Sequence, residues 1–383
     1  MRIERLSGLA DLSAESWNAL LEGEDDPFTR HEFLAALEHH GCVGGESGWY
    51  PVHQLLLDGA GRLLGAMPLY AKTHSWGEFV FDWSWAQALQ RSGADYYPKL
   101  VGAVPFTPTT GPRLLVAPGA DAGELRALLA AALPRLAAEL QVSSVHLNFL
   151  VDADREALAG AGFLPRCDCR FLWRNRGYAS FDDYLEQFRA DKRKKTRRER
   201  RKVAEAGITF RTLAGESLDD GVWQQAFGFS ARTFRAHGND HYLSAGFLAD
   251  VARRMPGRVV LMLAERAGEP LGCAIYFRGR RRLYGRYWGA SGHEDSLHFE
   301  ACYYQGIEYC IAEGLAEFDP GTQGEHKLAR GFEPSFTHSA HWLADPAFRT
   351  AIGRYLERER AAVAEYVAAA ALRLPFHRDD PAQ

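Results

Sequence analysis

The chain has 383 residues, enough for two domains, and its 46% hydrophobic and 12% aromatic content fits packed cores. A net charge of −4 argues against a surface that binds polyanions everywhere, and six scattered cysteines without a CxxC pair argue against a disulfide framework or a metal site. The start, MRIERLSGLADLSAESWNAL, has no apolar core of signal-peptide length and no window reaches 18 uncharged apolar residues, so a cytoplasmic protein without a transmembrane segment is expected.

Thr29 and Glu32 have capping-box spacing and predict a helix from about Arg30 to His40, stopped by Gly41. Residues 52–57 and 62–70 read as strands around the turn DGAG. Residues 79–120, rich in Trp, Tyr and Pro, read as an insertion that either binds a ligand or closes the sheet. Asp121 and Glu124 cap a further helix, with Leu125, Leu128, Leu129, Ala132 and Leu136 as its buried stripe and a kink expected at Pro134. VHLNFL, 145–150, is a strand. Ser180 caps a helix predicted to run to Gly207. Phe181, Tyr184, Leu185 and Phe188 give it an apolar stripe, which then stops. From Arg189 to Lys202 there are ten basic residues against Asp191 and Glu199. Such a segment gains little from packing on a core. It is either a solvated bridge or the seat of an anion: nucleic acid, nucleotide phosphate or a membrane surface.

The second half repeats the order of the first. Strands are expected at 259–264, 271–278 and 281–291, a helix from Phe299 to Ala312, and a strand ending near Asp319. GFLPRCDCRFLW, 162–173, and GFEPSFTHSAHW, 331–342, share Gly, Phe, Pro and Trp at a constant offset of 169. The expectation is an α/β (α+β) protein of two duplicated domains, 1–175 and 176–345, with mixed, mostly antiparallel sheets flanked by helices. A helical tail, 346–383, carries Phe348, Ile352, Tyr355 and Leu356 at helical spacing, expected to pack on the second domain or on a partner. No GxGxxG follows a strand, which argues against a dinucleotide-binding unit.

The repeat singles out GEHKLARGF, 324–332. At the same offset it lies over REALAGAGF, 155–163, so His326 meets Ala157, Lys327 meets Leu158 and Arg330 meets Ala161. The fold does not demand polar groups there. Histidine moves protons near neutral pH, while Lys327 and Arg330 suit a phosphate or a developing oxyanion. Asp319 and Gln323 stand just before them.

HEFLAALE (31–38), KTHSWGEFVFDWSWA (72–86), YYPKL (96–100), PFTP (105–108), HGNDHYL (237–243), LHFEACYYQGIEY (297–309) and FDPGTQGEHKLARGF (318–332) together resemble the Fem-like N-acyltransferases. The resemblance covers nearly the whole chain. It implies tandem GNAT-like domains and transfer of an acyl or aminoacyl group from acyl-CoA or aminoacyl-tRNA to an amine, such as a cell-wall precursor. It places the family's lysine on Lys327 and its Gly-Phe on Gly331 and Phe332. The GNAT pyrophosphate loop is not intact: the corresponding place reads GASGHEDSLHF, 289–299, which puts coenzyme A in doubt. No tightly bound cofactor is expected, with acyl-CoA at most a co-substrate.

On this reading His326 is the favoured base, with Glu325 or Asp319 as alternatives, and Tyr303 or Tyr304 protonates the leaving group. Arg330, Gly289, Ala290, Ser291 and Gly292 are assigned to donor or phosphate binding, with Arg193 and Arg197 of the basic helix. Acceptor contacts are expected from His31, Lys72, His74, Asp82, Trp83, Trp85, Tyr97, Lys99 and Thr107, and from His237 and Tyr242. A non-catalytic RNA- or nucleotide-binding protein on the same scaffold is the alternative.

Overall fold

The computed structural model describes residues 1–21, 23, 26–322 and 324–377. The chain forms two units, each drawing on both halves of the sequence. One is Met1–Cys169 with Phe336–Glu365, the other Arg170–Ser335 with Tyr366–Gln383.

The first unit contains β1 (Arg2–Leu6), β2 (Trp49–Pro51), β3 (His53–Leu57), β4 (Leu63–Met67), β5 (Tyr70–Lys72), β6 (Lys99–Gly102), β7 (Leu115–Val116), β8 (Ser144–Asn148) and the start of β9 (Leu164–Arg174). One small sheet has the order β1-β3-β4-β7. In the other, β2 pairs with β5 and β5 with β6, both antiparallel, while β6 and β8 are parallel. Helix Ala122–Glu139 covers these strands. Its buried stripe is Leu125, Leu129, Ala130, Leu133, Leu136 and Ala137, so of the expected residues Leu128 is exposed and Ala132 only half-buried. Pro134 sits inside this helix without ending it.

The second unit contains β10 (Ile208–Ala214), β11 (Val259–Arg266), β12 (Glu269–Arg278), β13 (Arg282–Ala290) and β14 (Glu317–Asp319). These strands pair in chain order, antiparallel except for β13 with β14, and the end of β9 then pairs antiparallel with β14. β15 (Glu333–Leu343) begins here and ends in the first unit, where Ser339–Leu343 pair antiparallel with β8. The two units therefore share a pattern: one parallel pair, and beyond it a strand contributed by the other copy. β9 and β15 are displaced by 169 residues at both ends, the offset read from the Gly-Phe repeat.

Three local expectations change. The helix after Thr29 starts at His31 without a Thr29 cap; Asn18 Oδ1 accepts the His31 N–H instead. Thr29 is buried, bonded to Asp26. The basic helix is two helices, Phe181–Glu186 and Ala190–Glu205, with Ser180 capping the first by accepting the Asp183 N–H. The break lets Phe188 leave the helical path and pair with Phe376. The tail helix Pro346–Ala371 packs Phe348, Ile352 and Leu356 against Trp85, Leu89, Tyr96 and Leu343 of the first unit, not the second, while Tyr355 is exposed. Among the described residues no helix is long and apolar enough to cross a membrane.

Candidate active site

Two departures from regular structure create the site. The parallel pairing of β13 with β14 stops after Tyr284↔Asp319, so β13 runs on while its neighbour turns away at Pro320. Strands that diverge in this way leave backbone groups and side chains facing a notch rather than a partner. The register of β13 with β12 passes from Ile275↔Tyr287 to Tyr276↔Gly285, which leaves Arg286 as a bulged residue. A bulge bends the strand and re-aims a side chain. A third irregularity faces them: helix Leu297–Ala312 opens into a π turn over Glu300–Tyr304. The wider turn shifts Cys302 and Tyr303 relative to a regular helix face.

Between these elements lies a cavity of about 200 Å³. Ala274, Ile275, Tyr276, Gly285, Arg286, Tyr287, Trp288, His298, Cys302, Tyr303, Pro320, Thr322 and Lys327 line it. Lys327 sits in the 3-10 turn Glu325–Arg330 and is 1% exposed. Its Nζ donates to two backbone carbonyls, Gly321 at 2.7 Å and Thr322 at 3.1 Å. Burial, then the nearby Arg170, lowers its pKa from 10.5 to about 7. The Tyr303 hydroxyl lies 2.9 Å from His326 Nε2. Burial, then Lys327 and Arg330, hold His326 below the usual histidine range, so its ring is neutral at pH 7. His298 goes lower, to about 4, by burial and then the His326, Arg330 and Lys327 charges. Burial pushes the Cys302 thiol and the Tyr303 phenol up, so both stay protonated.

The turn that presents His326 and Lys327 is held from behind. Arg330 is buried, donates to Glu199 at 2.8 Å and to the His326 carbonyl at 2.9 Å, and stacks 3.5 Å from the Phe299 ring centroid. Tyr304 donates to the same Glu199. Arg330 thus binds an internal carboxylate where the sequence suggested a donor phosphate, and Tyr304 turns away from the cavity that Tyr303 faces. Glu199 is the inward acid of the basic helix. Part of that helix's charge is therefore balanced within the protein: Arg200 meets Glu300 and Glu308, Arg193 meets Glu186, and Arg197 meets Asp182 and Glu186. Lys194, Lys195 and Arg198 stand exposed on the outer side.

The other expected residues fall in separate places. Glu325 points outward to Arg373 and Tyr366, and these bonds draw its pKa down to about 2, too acidic for a base. Asp319 is buried against Arg170 and accepts the Gly321 N–H at 3.0 Å, so it fixes the strand end. Gly289 packs on a helix: a Cβ there would stand 2.0 Å from the Phe229 carbonyl carbon. Ala290 ends β13, and Ser291 is tied down by Leu271 and Arg232. Gly292 follows in an exposed bend. His237 is exposed and bonds its own helix at the Thr233 carbonyl, and Tyr242 packs on Phe234. Gln323 lies outside the described residues.

The remaining acceptor candidates belong to the first unit, mostly to one buried network. Lys99 is 0% exposed and pairs with Glu78 at 2.9 Å and with Asp82. Ser75 joins Asp82, Tyr97 and Lys99. Lys72 donates to the Trp76 carbonyl and lies 4.2 Å over the Trp49 ring. His74 accepts the Trp76 N–H, Trp83 meets the Trp76 edge, and Trp85 is core against His341. Thr107 bonds the Pro105 carbonyl, and His31 the Leu9 carbonyl. The strand near Trp288 to Ala290 is expected from the sequence only as a backbone oxyanion donor, and Arg286, His298 and Cys302 carry no signal of their own there. A bulge and a π turn depend on long-range pairing, which the strand pattern of RRLYGRYWGAS does not show.

The fold is a doubled α/β arrangement of mixed sheets and helices. The chain belongs to the FemAB-like family, described as peptidoglycan biosynthesis/recognition, whose profile matches residues 8–378. Among solved structures it is similar to FemX, with 11% identity over 92% of this chain and 100% of that one and a TM-score of 0.54. It is also similar to L-PGS from Bacillus licheniformis, with 10% identity over 90% and 97% and a TM-score of 0.52. No curated protein matches the chain.

Proposed function

We propose that this protein is an N-acyltransferase that moves an acyl or aminoacyl group from an ester or thioester donor to an amine, with the reaction centred in the notch beside β13. The observation that carries the reading is the convergence of Lys327 with the Tyr303–His326 pair on one cavity at the point where β13 and β14 part. FemAB-like membership supports a transferase acting in peptidoglycan metabolism.

The carbonyl of the donor lies along β13, whose open edge near Trp288 offers backbone N–H groups to the oxyanion. The amine attacks, its C–N bond forms, and the C–O or C–S bond to the leaving group breaks. The amine's proton passes through the Tyr303 hydroxyl to neutral His326, and the leaving group is then protonated from the same relay. Lys327 holds negative charge at the floor of the cavity.

We favour an aminoacyl ester over acyl-CoA. The loop into helix Leu297–Ala312 carries Glu294 and Asp295, paired with Arg266 and Lys202, where a pyrophosphate would need donors. The exposed Lys194, Lys195 and Arg198 suit the phosphates of a tRNA carrier. The test is a radiolabelled donor panel, charged tRNA and acyl-CoA, against amine acceptors. Turnover with wild type and its loss in Lys327→Met and His326→Ala is expected. No turnover with any donor would leave a binding protein, and turnover surviving in both variants would move the chemistry elsewhere.

A further inference from the structure

Lys327 is a nearly inaccessible cation whose described partners are neutral carbonyls. A buried charge is ordinarily matched by an opposite one. The acids nearby are already committed: Asp319 to Arg170, Glu300 to Arg200, Glu325 to Arg373. Among the described residues that line the cavity there is no carboxylate at all. Two basic side chains line it instead, Lys327 and Arg286, while His298, lowered to about 4, is a neutral ring at pH 7 and Cys302 stays a neutral thiol. Arg286 is placed there by the β13 bulge, a distortion that costs regular pairing. Its planar fork matches a carboxylate in two parallel hydrogen bonds. The volume of about 200 Å³ equals about seven water molecules at their liquid volume of ~30 Å³, the size of a small dicarboxylate.

We infer that this cavity receives a carboxylate-bearing group, held by Arg286 and Lys327, and excludes ammonium groups. The inference rests on the acyltransferase reading and deepens it: one substrate brings an anionic end into the notch. That end is either the side-chain carboxylate of the acyl group or the carboxylate of an amino-acid acceptor. Arg286 is then a specificity residue that touches substrate and takes no proton.

The experiment measures binding to the full-length protein by calorimetry at constant ionic strength, with four probes. Succinate represents an acidic acyl group, β-alanine an amino-acid acceptor, acetate a plain anion and 1,4-diaminobutane a cation. Saturable binding of succinate or β-alanine, at least tenfold tighter than acetate, is expected, and whichever is tighter names the source. Arg286→Met weakens it at least tenfold and Arg286→Lys restores part. Saturable diaminobutane binding, equal weak binding of all anions, or unchanged affinity in a folded Arg286→Met would overturn the inference. The two claims fail separately. Transfer confined to neutral or cationic acyl groups and acceptors ends the carboxylate assignment and leaves the acyltransferase. Tight succinate binding without turnover ends the acyltransferase and leaves the site.

Discussion

The two Gly-Phe turns of the molecule have the same backbone and opposite interiors. In the first, the Phe163 N–H bonds the Leu158 carbonyl at 3.1 Å and Gly162 bonds Ala159 at 3.0 Å. In the second, Phe332 bonds the Lys327 carbonyl at 3.2 Å and Gly331 bonds Leu328 at 3.0 Å. Gly162 and Gly331 have φ of 80° and 77°. Leu158 is 0% exposed inside an apolar cluster with Leu133, Leu136 and Phe163. Lys327, at the same place, is as deeply buried but opens on a cavity. The turn needs only something that fills space. An ammonium there is a departure that stability alone does not reward.

Lys99 shows what the protein does when a buried cation is structural. It is wrapped by Glu78, Asp82 and Ser75, so its charge is met where it sits. The chain beyond β6, Ala103–Thr109, is buried throughout, whereas the part of β13 beyond its pairing with β14, Gly285–Trp288, lines the notch. One copy has been closed and the other left open.

The comparison breaks most decisively at Leu158. Leu158→Lys puts an unmatched charge into the apolar cluster and should cost about 3–5 kcal/mol, read by urea denaturation. A loss under 1 kcal/mol would mean the first turn tolerates a lysine as readily as the second. The reverse exchange, Lys327→Met, should leave the fold as stable or more so while transfer falls a hundredfold or more, about 2.7 kcal/mol of transition-state stabilisation. A destabilised protein with intact turnover would make Lys327 a packing residue.

Acidity sharpens the same point. Lys327 titrates at about 7 when folded and near 10.5 when unfolded. Below pH 7 both states keep the proton and the buried charge is fully felt. From pH 7 to about 10.5 only the unfolded chain keeps it, so wild type should gain on Lys327→Met as pH rises, by up to about 1.4 kcal/mol per unit. A stability gap that stays flat across that window would place the lysine in contact with an acid. The smallest effects belong to the glycines. Gly162→Ala meets open space and should cost only the left-handed strain, about 1–2 kcal/mol. Gly331→Ala should cost more, because a Cβ there would stand 2.0 Å from the Tyr184 hydroxyl. Equal losses in thermal unfolding would show that the second turn is no more tightly backed than the first.

Much of this was legible in the sequence because it is local or repeated. Strand periodicity locates β11 to β14 within a few residues, and the offset of the Gly-Phe motif marks the repeated segments that fold as β9 and β15, whereas β10 has no such signal. The same offset isolates His326 and Lys327; Lys327 lines the cavity, while His326 is exposed and meets it through its bond to the Tyr303 hydroxyl. What could not be read depends on partners far along the chain. Arg330 looks like an anion-binding residue until Glu199, 131 residues away, is found against it. Arg286 looks like one more strand residue until the register slips beside it. The acceptor candidates around Lys99 looked reactive because they are polar and aromatic, but their hydrogen bonds are spent on one another.

The exchange of final strands sets a rule for synthesis. β8 receives β15 only when residues 339–343 leave the ribosome, after Arg170–Ser335 of the second unit has been made. A nascent or truncated chain ending near residue 175 carries an uncapped sheet edge, ready to pair with any passing strand. Cutting the protein into its two sequence halves should therefore yield sticky fragments, and mixing those fragments, rather than refolding either alone, is the way to recover the whole.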